Sequence, residues 1–178
     1  MQKTTVYKAY EWNWKLSVLL ILIISALQHF LYDLAPNFLT GILGPRNESL
    51  AEHIKIVFYP TLVWWVITFL VFERPIGINA IRWFIGGCVS IIVVTMLVTM
   101  LFCTLIYGLS LPIDSFFIHL TLEIVSIIIA QTVGGHVSNK GKGNKISLVF
   151  LSIVVVLLAI LISLFSYYPP NLPIFISP

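Results

Sequence analysis

The sequence predicts an all-α, polytopic membrane protein: a bundle of five transmembrane helices with its N-terminus inside and its C-terminus outside. Three observations carry that prediction. Of 178 residues, 59% are hydrophobic and only 10% are charged, where soluble domains carry about 25% charged residues. Five apolar stretches approach or exceed the about 20 residues that a spanning helix requires. The basic residues divide very unequally between the two sides that five spans define. A mean hydropathy of +1.02 agrees: the chain has too little polar surface for a water-soluble globule, but a bilayer is itself an apolar solvent. The length suits one transmembrane domain over residues 1–178.

The expected spans are 16–34, closed by Pro36; about 54–72, closed by Glu73-Arg74-Pro75; about 81–107; about 115–133, closed by Gly134-Gly135; and about 146–167, closed by Pro169-Pro170. No small-x-small cleavage site follows the first stretch, so it reads as an uncleaved helix. With five spans, Lys3, Lys8, Lys15, Arg74, Arg82, Lys140, Lys142 and Lys145 share a side, and only Arg46 and Lys55 face them. By the positive-inside rule the eight lie in the cytoplasm.

The remaining segments fit that frame. The basic loop 138–145 suits contact with anionic head groups. Trp12, Trp14, Tyr167 and Tyr168 fall at span ends, as an aromatic belt requires. The uncharged, proline-rich tail 169–178 is expected to lie on the outer interface rather than form a helix. Ser49 followed by Glu52 has the spacing of a capping box, so the second helix is expected to begin near Ser49, with Pro60 kinking it. Cys88 and Cys103 lie in one expected span, about 22 Å apart along its axis, and cannot pair there. The scattered lysines and arginines form no nucleic-acid patch.

The acidic residues and histidines carry the functional argument. Asp33, Glu48, Glu52, Asp114 and Glu123, with His29, His53 and His119, fall on the outer half; Glu11, Glu73 and His136 fall on the inner. His29/Asp33, Glu48/Glu52 and His119/Glu123 are each spaced i,i+4, which places each pair on one helix face. His29 and Glu123 lie roughly 7–13 Å below the outer ends of their helices. A charged group deep in a span costs up to about 2.5–3.5 kcal/mol and usually faces the bundle interior with a partner.

Imidazoles and carboxylates gathered at one depth match a divalent metal, with zinc the best fit. The expected direct ligands are His53, His119 and Glu123, with His29 and Asp33 as further ligands or groups orienting them. Glu48 or Glu52 would serve as general base. Blander roles stand beside these. The i,i+4 pairs also read as ion pairs, Glu52 and Asp114 as helix caps, and His136 as a dipole partner at a helix end.

The stretch Asn47-Glu48-Ser49-Leu50-Ala51-Glu52-His53-Ile54-Lys55, followed by Phe58-Tyr59-Pro60 and preceded by His29-Phe30-Leu31-Tyr32, resembles a family of small, uncharacterised multipass membrane proteins of Gram-positive bacteria. That resemblance implies a bacterial cytoplasmic membrane and brings no reaction. Ser49-x-x-x-His53, with an i,i+4 ligand pair on a later helix, is similar to the alkaline ceramidase and adiponectin-receptor type of zinc hydrolases. Those have seven helices, three zinc histidines and an Asp; here five helices are expected and Glu123 stands where a histidine would. The analogy adds Ser49 to the candidate catalytic residues. The resulting expectation is an intramembrane metal-dependent hydrolase of a lipid or lipid-linked substrate. The alternative is a small-molecule or ion transporter or an accessory membrane subunit. Membrane lipids are the expected partners.

Overall fold

The computed structural model describes the backbone of residues 2–73, 79–110 and 116–177, and side chains within 16–71, 79–110 and 116–177. Helix accounts for 84% of the structure, and no strand occurs among the described residues. The elements are α1 (Gln2–His29), α2 (Leu31–Leu34), α3 (Phe38–Leu43), α4 (Leu50–Thr68), α5 (Ala80–Phe102), α6 (Phe116–Lys140) and α7 (Lys145–Tyr167). α4 and α5 each end in a π-helical turn, Phe69–Glu73 and Cys103–Gly108. Four helical stretches are long and apolar enough to cross a membrane: Leu50–Val71, Ala80–Gly108, Phe116–Lys140 and Lys145–Tyr167. The apolar part of α1, Leu16–His29, is shorter.

α1, α4, α5 and α6 form a ring in which α1 packs on α4 and α6, and α5 packs on α4 and α6. Ile21, Val57, Val94 and Ile127, one from each helix and each at most 1% exposed, meet in its core. α7 packs outside the ring, against α5 and α4. It leaves Phe150, Ile153, Leu157 and Ile160 more than half exposed, as a helix bathed in acyl chains should.

Pro60 lies inside α4, which continues through it. A proline has no N–H, so the carbonyl four residues earlier, that of Ile56, loses its helical donor. The Ser25 hydroxyl of α1 donates to that carbonyl instead. The residue that would bend the helix thus ties α4 to α1.

Three expectations are corrected here. Gly134-Gly135 does not end the fourth span, because α6 runs on to Lys140. The glycine serves packing: a Cβ at Gly134 would lie 2.6 Å from the Gly86 carbonyl oxygen, and one at Gly86 would lie 2.5 Å from that of Gly134. Only glycines allow this approach. The helix extension also places His136 about one turn before the end and shortens the loop expected over 138–145 to 141–144, with Asn144 capping α7.

Second, the capping box is at Asn37–Thr40, not Ser49–Glu52. The Asn37 carboxamide oxygen accepts from the amides of Leu39 and Thr40, at 2.9 and 3.1 Å, and the Thr40 hydroxyl accepts from the Asn37 amide at 3.0 Å. Ser49 occupies the N-cap position of α4 without a side-chain cap bond; its own amide donates to Asn47 Oδ1 at 2.9 Å.

Third, the expected first span does not run unbroken to Leu34. α1 stops at His29, and Phe30 turns out of helical geometry before α2. At the stop the Gln28 side-chain amide donates to the Leu43 carbonyl and, at 3.2 Å, to that of Lys55. Segment 35–49 thus folds back across the ends of α1 and α4. The tail makes a single 3₁₀ turn, Pro173–Phe175, and inserts Ile174 against Leu50, Phe102, Ile106 and Leu122. Asp114, the expected cap of the fourth span, Trp12 and Trp14, and the Glu73-Arg74-Pro75 helix stop lie outside the described side chains.

Candidate functional site

The stop at His29, the start of α4 and the first turns of α6 meet at one end of the ring. His29 ends α1, His53 lies in the first turn of α4, and Glu48 precedes α4 on the folded-back segment. His29 Nε2 lies 3.7 Å from Glu48 Oε1, and His53 Nε2 lies 3.4 Å from Glu48 Oε2. The two imidazole centroids are 5.4 Å apart. One ligand atom from each of the three residues lies within 4.8 Å of the other two, so His29, Glu48 and His53 could hold a metal ion.

His53 is oriented by its own helix. Its Nδ1 is 3.0 Å from the Ser49 carbonyl oxygen. A carbonyl can only accept, so Nδ1 carries a proton and Nε2 is the ring nitrogen turned toward Glu48. This backbone bond is the kind of outer contact that sets the tautomer of a ligating histidine. Glu48 is mostly exposed while His53 is nearly enclosed, so the group sits just inside an opening.

That opening leads into a cavity of about 610 Å³ between α1 and α6, floored by α4. His29, Glu48, His53, His119 and Glu123 all line it. The His119 ring stands 5.8 Å from that of His53, with its edge against Phe102 at 4.7 Å. Ser25 and Glu123 sit within reach of one another from α1 and α6, and Glu123 Oε1 is enclosed with no hydrogen-bond partner among the described residues. Leu22, Ala26, Ile56 and Leu120 make the remaining wall apolar.

Of the residues expected from sequence, the structure therefore gathers His29, Glu48, His53, His119 and Glu123 in one chamber. The tight three-residue group centres on His29, Glu48 and His53 rather than on His53, His119 and Glu123. Asp33 is exposed on α2, beyond the break at Phe30, so its i,i+4 spacing from His29 does not bring it to the chamber. Ser49 contributes its carbonyl and lines no part of the cavity.

Glu52 belongs to a different set. Its Oε2 accepts from Lys55 Nζ at 2.7 Å and from the Arg46 amide at 2.7 Å. Lys55 has no exposed surface and also donates to the carbonyls of Gly41 and Gly44, at 2.6 and 3.0 Å. The Arg46 guanidinium lies over the Tyr167 ring at 4.4 Å and donates to the Ser166 carbonyl of α7 at 2.6 Å. This network clamps segment 41–46 to α4 and so holds Glu48 over His53. Sequence reasoning counted Lys55 as a topology charge; its i,i+3 spacing from Glu52 was the available signal.

A family model described as a family of unknown function, DUF6512, matches residues 1–177. No curated protein and no solved structure matches the chain.

Proposed function

We propose that this chain, which belongs to the family of unknown function DUF6512, is a multipass membrane protein that binds a divalent metal at His29, Glu48 and His53 and hydrolyses a lipid or lipid-linked substrate there. One observation carries the reading: two imidazoles and a carboxylate from three chain segments converge within 4.8 Å on the wall of a largely apolar cavity. Two histidines and a glutamate form a ligand set used by hydrolytic zinc sites, which keep a fourth position open for water. A metal held there would lower the pKa of that water and polarise a substrate carbonyl. Glu48 serves as ligand and Glu52 is committed to Lys55, so His119 is the group best placed to take the proton.

The transporter alternative finds less support. Ile21, Val57, Val94 and Ile127 close the core below the cavity, so the chamber reads as a blind pocket at one end of the bundle. On this reading the protein lies in the bacterial cytoplasmic membrane, zinc occupies the site, and the chamber opens on the extracytoplasmic face opposite the basic loops.

Element-resolved metal analysis of the purified protein tests the proposal. About one zinc-class ion per chain is expected, together with metal-dependent release of fatty acid from a long-chain acyl ester. Metal-free protein that also fails to take up zinc from a chelator-buffered solution would overturn it.

A further inference from the structure

We propose that Glu123 and Ser25 form a hydrogen-bonding subsite in the cavity wall that recognises a lipid bearing a hydroxyl group near its acyl linkage, of the monoacylglycerol class. The inference rests on the lipid-binding part of the reading above and is independent of the metal. Ser25 lies four residues before His29 on α1, and Glu123 lies four residues after His119 on α6. Four helical residues rise about 6 Å, so the pair sits about one turn deeper than the imidazoles, in the same cavity. Around it the wall is Leu22, Ala26, Ile56 and Leu120, which favours a hydrocarbon chain.

The open position of the pair is an acceptor, Glu123 Oε1. The Ser25 proton is already given to the Ile56 carbonyl, so toward a ligand its hydroxyl oxygen can only accept. Glu123 Oε1 is enclosed and has no partner among the described residues. A buried acceptor without a donor is costly, and an alkyl chain cannot supply one. A ligand hydroxyl can, after a small rotation of the carboxyl. Phosphate and carboxylate head groups bring further acceptors and negative charge, which do not satisfy Oε1. The ligand that fits has its ester linkage at the histidines, a glycerol hydroxyl about 6 Å away at Glu123, and its chain turned back from the linkage along the apolar wall of Leu22, Ala26, Ile56 and Leu120.

Two probes with the same oleoyl chain separate the terms: monooleoylglycerol, which has two free hydroxyls, and methyl oleate, which has none. Binding to the full chain is measured by native mass spectrometry in the presence of a chelator. Wild-type protein is expected to hold monooleoylglycerol at least ten-fold tighter. Glu123→Leu abolishes that preference and leaves methyl oleate unaffected. Glu123→Gln, whose amide oxygen still accepts, keeps most of it. Ala26→Trp narrows the cavity from its wall while keeping both acceptor side chains, and is expected to weaken both lipids. Equal wild-type affinities, a preference that survives Glu123→Leu, or binding undiminished by Ala26→Trp would each overturn the subsite. Because the chelator removes metal, loss of the metal reading leaves these outcomes readable.

Discussion

Lys55, with no exposed surface, lies 2.7 Å from the Glu52 carboxylate at the point where segment 35–49 folds back onto α4. Among the described residues, the ammonium donates to the carbonyls of Gly41 and Gly44 in that segment and to the Glu52 carboxylate. The ion pair is therefore the joint between α4 and the segment that carries Glu48.

Breaking one half of this pair leaves the other charge buried and alone, a loss of about 3–5 kcal/mol. Lys55→Met and Glu52→Leu are each expected to lower the melting temperature of the detergent-solubilised protein sharply. The double variant Glu52→Leu/Lys55→Met should recover much of that stability, since no isolated charge remains. It should not recover metal affinity, because Glu48 is no longer held over His53. Thermal unfolding with and without zinc separates the two effects; a double variant that melts below both singles would contradict the assignment.

The Ser25–Ile56 bond makes a second, conditional prediction. Ser25→Ala orphans a carbonyl that Pro60 has already deprived of its helical donor, at about 1–3 kcal/mol. In a Pro60→Ala background the restored backbone amide at that position can serve the Ile56 carbonyl, and Ser25→Ala should then cost much less. A double-mutant cycle on thermal stability reads this coupling directly. Simple additivity would show that Ser25 does not compensate for the proline.

At Gly86 and Gly134 the two backbones are already in contact. Gly134→Ala places a methyl 2.6 Å from the Gly86 carbonyl oxygen, so α5 and α6 must separate, at about 1–3 kcal/mol or more. The Ser90–Gln131 bond of 3.0 Å beside the crossing would lengthen with them. A lowered melting temperature with the helical circular dichroism signal retained is the expected signature. If Gly134 merely ended a helix, alanine there would be tolerated.

These cases show where the chain could be read and where it could not. Apolar runs made the later spans legible, because solvent matching is local. The stacking of Glu123 one turn below His119 was legible because helical rise is constant, but the depth of His29 was not, because α1 stops at that residue instead of running on to Leu34. The break at Phe30 was not: no proline or glycine marks it, and the bonds that accompany it run from Gln28 to Leu43 and Lys55, residues that become neighbours only when 35–49 folds back. Asp33 was added to the ligand set for that reason. Glu52 was open to reading as a general base or a cap because nothing local shows that Lys55 is buried against it. Gly134-Gly135 looked like a stop because its role depends on Gly86, far away in sequence.

The metal group yields the most discriminating set of substitutions. His29→Ala, His53→Ala and Glu48→Ala each remove one of the three converging ligand atoms, and each is expected to reduce zinc affinity at least a hundred-fold by competition with a chelating dye. Ser49→Ala keeps the backbone carbonyl that holds His53 Nδ1 and should leave affinity within a few-fold of wild type. Asp33→Ala, on the exposed far side of the Phe30 break, should do the same. His119→Ala distinguishes a fourth ligand from a proton acceptor. Intact zinc binding with lost hydrolysis fits the acceptor, whereas loss of both makes it a ligand. If Asp33→Ala weakened zinc as much as His53→Ala, the ion would instead bind outside the chamber, near α2, and the three-residue group would not be its site.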